Sequence, residues 1–226
     1  MTMKETKALT NLHPDIQQFQ ETLWSRYQEE NKTVKPGQIL FVGSSLMEIF
    51  PIEKMQSERN LGLDKHIYNR GVRATTTADL LAHMAVQIFD LAPSKIVMNI
   101  GSNDIGFGVP EATFLANYDS ILTEIKEKLP TTEVYVMAYY PTNHTGKFSS
   151  DEDENQLLAK RGNDAMAAAS KKVAELAVKH GVHYINANAG LTDDAGNLKA
   201  ALTFDGAHML PAGYDIVFQN LKPYLG

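Results

Sequence analysis

Short apolar runs alternate with longer helical patterns along most of this chain, and that alternation restricts its fold more than any other feature. The runs Gln38–Val42, Ile67–Asn69, Lys95–Ile100, Glu133–Tyr140 and Val182–Ile185 have the length and composition expected of strands. Thr76–Leu91, Pro110–Leu129 and the Ala-rich Gln156–His180 lie between them and read as helices. Pro14–Glu30 precedes the first strand with Ile16, Phe19, Leu23, Trp24 and Tyr27 at helical spacing, and Pro211–Tyr224 closes the chain as a last helix. Strands that alternate with helices imply βαβ units and a parallel sheet, and nearly continuous apolar strands imply a sheet covered on both faces. The polar stretch Thr142–Asn155, with acids at Asp151–Glu154, reads as a surface loop running into a helix. With no internal repeat or dividing linker, residues 1–226 are expected to form one domain, its N-terminal helix at about residues 14–30.

Composition narrows the functional classes. Lys plus Arg is 21 against 27 Asp plus Glu, a net charge of −6, which argues against a general nucleic-acid binder. There is no cysteine, so a disulfide framework, a Cys-ligated metal and a Cys nucleophile are excluded. No run approaches the ~18 apolar residues of a membrane span. Met1–Asp15 lacks the apolar core of a secretory signal, so the cytoplasm is the expected location. No cofactor is expected. His180 and His183 straddle a helix end and a strand start, so they are not expected to form a metal site. The aromatic face of Trp24 and Tyr27 either covers the domain or pairs with a second copy, which leaves a homodimer open.

In open parallel sheets, ligands bind beyond the carboxyl ends of the strands. Gly43-Ser44-Ser45, Gly71 and Gly101-Ser102-Asn103-Asp104 follow the first three strands, and Asp205-Gly206-Ala207-His208 precedes the last helix. Acyl transfer needs this inventory. A serine hydroxyl becomes a nucleophile when a base takes its proton, an imidazole is that base near neutral pH, and a carboxylate fixes the imidazole tautomer. Backbone N–H groups and an Asn amide can hold the developing oxyanion. Each segment alone is equally well a cap or a turn, and Gly71 alone reads as a turn requiring positive φ. Their joint occurrence at one sheet edge carries the functional reading.

The four blocks ILFVGSSLMEIF, YNRGVRATTTADLL, VMNIGSNDIG and FDGAHMLPAGY together resemble the SGNH hydrolase superfamily, the GDSL-type esterases and lipases. The resemblance spans about Gln38–Tyr224 and is strongest to the bacterial branch similar to the platelet-activating-factor acetylhydrolase catalytic subunit. It implies a flavodoxin-like three-layer α/β/α sandwich with a five-stranded parallel sheet. It also implies Ser45 as nucleophile, His208 as base, Asp205 as the acid that orients it, and an oxyanion hole from Ser45, Gly71 and Asn103. One position departs from the family pattern, because Ser44 stands where the name motif has aspartate. That aspartate is not the triad acid, so activity is still expected. Ser45 takes the nucleophile position and Ser44 a structural one; attack by Ser44 is the alternative.

The implied activity is hydrolysis of a short-chain, acetyl-type ester, with a small-molecule ester as the partner. An acyltransferase or thioesterase using the same triad is the second reading, and a weakly catalytic carbohydrate- or partner-binding protein the third. Other residues on the functional edge divide between roles. His144 is a candidate substrate contact, and Phe107, Tyr139 and Tyr140 either line an acyl pocket or pack the core. Arg70 and Arg73 flank Gly71 as anion contacts or ion-pair residues. Asp104 reads as a turn or cap residue rather than a catalytic acid.

Overall fold

The five apolar runs form one parallel sheet in the computed structural model, which describes residues 1, 3–146, 148 and 158–226. The strands are β1 (Ile39–Gly43), β2 (Ile67–Asn69), β3 (Lys95–Asn99), β4 (Glu133–Met137) and β5 (His183–Ile185), in the order β2-β1-β3-β4-β5. All four pairings are parallel, with Ile39 opposite both Ile67 and Lys95, and Gly43 opposite Asn99 at the carboxyl edge. This is the flavodoxin-like order, with its switch between β1 and β3.

Continuous burial with a period of two explains the layers. Ile39, Phe41, Val97, Tyr135 and Met137 enter one core cluster with Phe50, Tyr214 and Phe218, whereas Leu40, Val42, Ile96, Met98, Val134 and Val136 enter another with Phe114, Tyr118 and Ile121. The first face is covered by α3 (Ser45–Glu48), α4 (Ile52–Glu58) and α10 (Pro211–Leu221). The second is covered by α5 (Thr77–Ala82), α6 (Met84–Gln87), α8 (Glu111–Lys128) and α9 (Asn163–His180). Full burial of one such Phe or Ile stabilises the fold by roughly 1.5–3 kcal/mol, so the two clusters dominate the driving force.

Several boundaries differ from expectation. The helix expected over Thr76–Leu91 breaks at His83, leaving α5, α6 and a 3-10 turn at Phe89–Leu91. The His83 ring meets the Asp79 carbonyl at 2.8 Å and stacks on Trp24 at 3.6 Å, a side-chain contact that competes with helix continuation. The last helix ends at Leu221, because Pro223 permits only a 3-10 turn at Lys222–Tyr224. Helices α3, α4 and α7 (Ser102–Phe107) are too short for periodicity to reveal. So is α1 (Met3–Thr10), whose polar sequence lies against α5 with Thr6 buried. The acidic run Asp151–Glu154 and the helix start expected at Gln156 lie outside the described residues.

Helix α2 (Pro14–Asn31) buries its aromatic face within its own chain. Trp24 Nε1–H donates to Gln87 Oε1 at 3.0 Å, and the Tyr27 hydroxyl donates to the Gly71 carbonyl at 2.8 Å. Among the described residues, no helix is long and apolar enough to cross a membrane.

Candidate active site

Ser45 is placed by the end of β1. At Gly43, a Cβ would lie 2.0 Å from the Asn99 carbonyl oxygen, so only glycine lets the chain leave β1 against the end of β3. Ser44 follows as a fully buried residue whose hydroxyl has no partner among the described residues, and Ser45 opens α3. The Ser45 hydroxyl lies 2.7 Å from His208 Nε2. The two serines therefore face different environments, and only Ser45 meets an imidazole.

His208 is held by its own loop. Asp205 Oδ1 accepts from the backbone N–H groups of Ala207 and His208 at 2.9 and 2.7 Å, while Oδ2 makes a short contact with His208 Nδ1. Thr203 clamps the turn, its hydroxyl donating to the His208 carbonyl at 2.7 Å and accepting from Gly206 N–H at 2.8 Å. The Phe204 ring stacks on the imidazole. With Nδ1–H directed at Asp205, Nε2 is left to accept the Ser45 proton. Burial pulls the Asp205 carboxyl up, but the hydrogen bond and charge of His208, with the two backbone N–H groups, hold it below the ordinary carboxylate range.

Asn103 lies on α7 just past β3, with Nδ2 donating to the Thr75 carbonyl at 2.9 Å. It lines a cleft of about 750 Å³ together with Ser45, Ala74, Asp205 and His208. Arg161, Phe107 and Phe204 add to its walls, and Leu9–His13 and Ile16 contribute a side from the N-terminal segment.

Gly71 is elsewhere. Its N–H donates to Asn69 Oδ1 at 2.9 Å, its carbonyl accepts from Tyr27, and it is not part of the cleft wall. The expected oxyanion donor is thus already bonded. Its φ is not positive either: glycine is needed because a Cβ would lie 2.2 Å from Glu48 N in α3. The cleft residue from this segment is Ala74, three positions on, at φ 56°. Its backbone N–H has no acceptor among the described residues. An alanine in the left-handed region carries no sequence signature, so only the backbone reveals it.

The remaining candidates separate cleanly. Phe107 lines the cleft, whereas Tyr139 and Tyr140 are buried in the core, Tyr139 donating to the Ile100 carbonyl at 2.8 Å. His144 bonds Thr142 at 2.8 Å and is not part of the cleft wall. Arg73 pairs with Glu48, and Arg70 is buried among Asn31, Asn69, Tyr27 and Tyr68. Asp104 caps α5 from outside, accepting from Thr77 N–H and hydroxyl at 2.9 and 2.6 Å. Burial pushes its carboxyl up to about 7 against those bonds. His180 bonds Asp119 at 2.7 Å and His183 stacks on Tyr135, so the two do not converge. No group of three or more His, Asp or Glu placed to hold a metal ion occurs among the described residues. Sequence reasoning missed Ala74, Arg161, Phe204 and the N-terminal wall; only Phe204, beside Asp205, had a neighbouring signal.

Fold and cleft together define an α/β protein with a hydroxyl–imidazole–carboxylate chain at the ligand-binding edge of its sheet. The chain belongs to the GDSL-like lipase/acylhydrolase family, whose model matches residues 54–216, and so to the SGNH hydrolase superfamily of carboxylic ester hydrolases. The matched span contains Gly71, Asn103, Asp205 and His208 but begins after Ser45. Among solved structures, the chain is similar to a protein of Streptococcus pneumonia described as a platelet activating factor, at 30% identity over 100% of both chains with a TM-score of 0.83. A GDSL-like lipase of Bacteroides thetaiotaomicron is 19% identical, over 89% of this chain and 96% of that one, with a TM-score of 0.69. An acetyl-xylooligosaccharide esterase of Geobacillus is 17% identical, over 86% and 96%, with a TM-score of 0.62. These last two show likeness of fold. No curated protein matches the chain.

Proposed function

We propose that the protein is a serine esterase that hydrolyses short-chain acyl esters, acetyl esters best, through Ser45, His208 and Asp205. The observation that carries this reading is the 2.7 Å contact of Ser45 Oγ with His208 Nε2, on an imidazole whose other nitrogen meets Asp205. Ser45 Oγ attacks the ester carbonyl as its proton passes to Nε2, and Asp205 holds the ring and offsets its positive charge. His208 then delivers that proton to the leaving alkoxide, and water repeats the sequence on the acyl-enzyme. The oxyanion is held by Asn103 Nδ2–H and by the N–H groups of Ser45 and Ala74, with Ala74 replacing Gly71 in that role.

Short acyl groups are favoured by the distribution of apolar surface. Leu9 and Phe204 are exposed at 42% and 55%, and Ile16, Ile49 and Phe107 are half-buried, so the apolar side chains shape a mouth rather than a deep tunnel. Asn103, by contrast, is buried. The test is hydrolysis of p-nitrophenyl esters from acetyl to octanoyl by the wild type and Ser45→Ala. The expected result is fastest cleavage of the acetyl or butyryl ester, with activity falling on the order of 10⁶-fold in the variant. Equal activity of the two proteins would transfer the nucleophile to Ser44 or refute the mechanism; a preference for octanoyl would refute the short pocket.

A further inference from the structure

Arg161 is 7% exposed and borders the cleft beside Ser45, Asn103, Asp205 and His208. Its hydrogen bonding is incomplete. Nη1 donates to Asn103 Oδ1 at 3.5 Å, the outer limit of such a bond, and Nε is buried with no acceptor among the described residues. Arg73, on the same wall, has Glu48, whereas Arg161 has no ion-pair partner among the described residues. A guanidinium cannot shed its charge by losing a proton, so burying one without an anion is costly unless a ligand completes the site. Burial does push its pKa down, with the Asp205 charge acting the other way. Lys160, exposed at the same wall, adds a second positive charge, in a chain whose net charge is −6.

We propose that Arg161 binds an anionic group of the substrate, a carboxylate or a phosphate, so that the preferred ester carries negative charge close to its scissile carbonyl. This rests on the esterase reading above. The guanidinium contacts the oxygen of the Asn103 side chain, the same amide whose nitrogen is assigned to the oxyanion in that reading. The anion sits on the acyl or the alcohol side of the ester. Arg161 is then a specificity residue, and a planar fork suited to two-pronged contact with a carboxylate or phosphate.

Paired esters test this. On the acyl side the pair is p-nitrophenyl hemisuccinate against p-nitrophenyl butyrate. On the alcohol side, p-acetoxybenzoate and p-acetoxyphenyl phosphate are set against methyl p-acetoxybenzoate. The wild type should prefer at least one anionic ester to its neutral counterpart, the carboxylate and phosphate arms showing which anion fits. In Arg161→Met the ratio of kcat/KM for that ester over its counterpart should fall roughly ten- to hundredfold, mainly through KM, and Arg161→Lys should recover part of it. An unchanged ratio, with kcat lowered equally on charged and neutral esters, would make Arg161 a positioning residue for Asn103 and overturn the proposal. So would a wild type with no anionic preference. Should the wild type cleave no ester at all, the esterase reading fails by itself. Calorimetric titration with inorganic phosphate and with succinate then decides the anion site: saturable binding lost in Arg161→Met supports it, and no binding to the wild type refutes it. If Arg161→Met does not fold, Arg161→Lys and the same titration carry the test.

Discussion

Two arginines are buried in this molecule, and their surroundings differ in kind. Arg70, 2% exposed, donates to Asn31 Oδ1 at 3.0 Å and to the Asn69 carbonyl at 2.9 Å, lies over the Tyr27 and Tyr68 rings, and has Glu30 at 3.4 Å. The groups around it are satisfied in turn. Gln87 donates to the Arg70 carbonyl and accepts from Trp24, while Asn69 donates to the Met47 and Phe50 carbonyls and accepts from Gly71. This network fixes α2 and the β2 loop to the back of α3, and so fixes the element that carries Ser45. Among the described residues, the side chain of Arg161, at the cleft, has one long hydrogen bond and an Nε without an acceptor. A complete network serves the fold; an incomplete one at a cleft is available to a ligand.

The comparison breaks first on stability. Arg70→Met should lower the unfolding free energy by roughly 3–5 kcal/mol, because it orphans buried acceptors, whereas Arg161→Met should be neutral or stabilising by about 1–3 kcal/mol. Urea unfolding of both variants decides it, and equal losses would make Arg161 as structural as Arg70. Next in size is Asn103→Ala, expected to lower kcat by roughly 10²–10³ if its amide holds the oxyanion. A loss under about threefold, with the fold intact by circular dichroism, would reduce Asn103 to a tie between Thr75 and Arg161.

A third effect, graded with pH, concerns Asp104, a buried acid with no ion-pair partner among the described residues. Its folded pKa of about 7 lies above its unfolded value, so between about pH 4 and pH 7 the folded state keeps a proton that the unfolded state releases. Stability from this group is complete below that window and declines as pH rises through it. Relative to Asp104→Asn, the wild type should lose up to ~1.4 kcal/mol per pH unit across that range and level off above it. Parallel pH profiles for the two proteins would show that Thr77 keeps the carboxylate ionised throughout.

The layered fold was legible because its signals are local and repeated. Five apolar runs of strand length, separated by helical patterns, have few folds open to them, and all five strands occur within a few residues of their expected bounds. Short helices escaped, since four to eight residues show no period, and a helix stop such as His83 depends on Trp24, 59 positions away in the chain. The candidate site divides in the same way. Asp205 and His208 are three residues apart on one turn, so their pairing was readable. Ser45 could be placed because it follows a strand, although its contact with His208 spans 163 positions.

What the sequence alone determined is the sheet, its parallel sense and the chemical inventory at its carboxyl edge, because strand and turn preferences are written in neighbouring residues. What the tertiary structure decided is which groups are free to act. Gly71 is consumed by Asn69 and by the close approach of α3, Ala74 stands in the cleft wall instead, and Arg161 arrives from 58 positions beyond Asn103 with no ion-pair partner among the described residues. Whether a polar group is satisfied depends on every neighbour that packs against it, and those neighbours are assembled only when the chain folds.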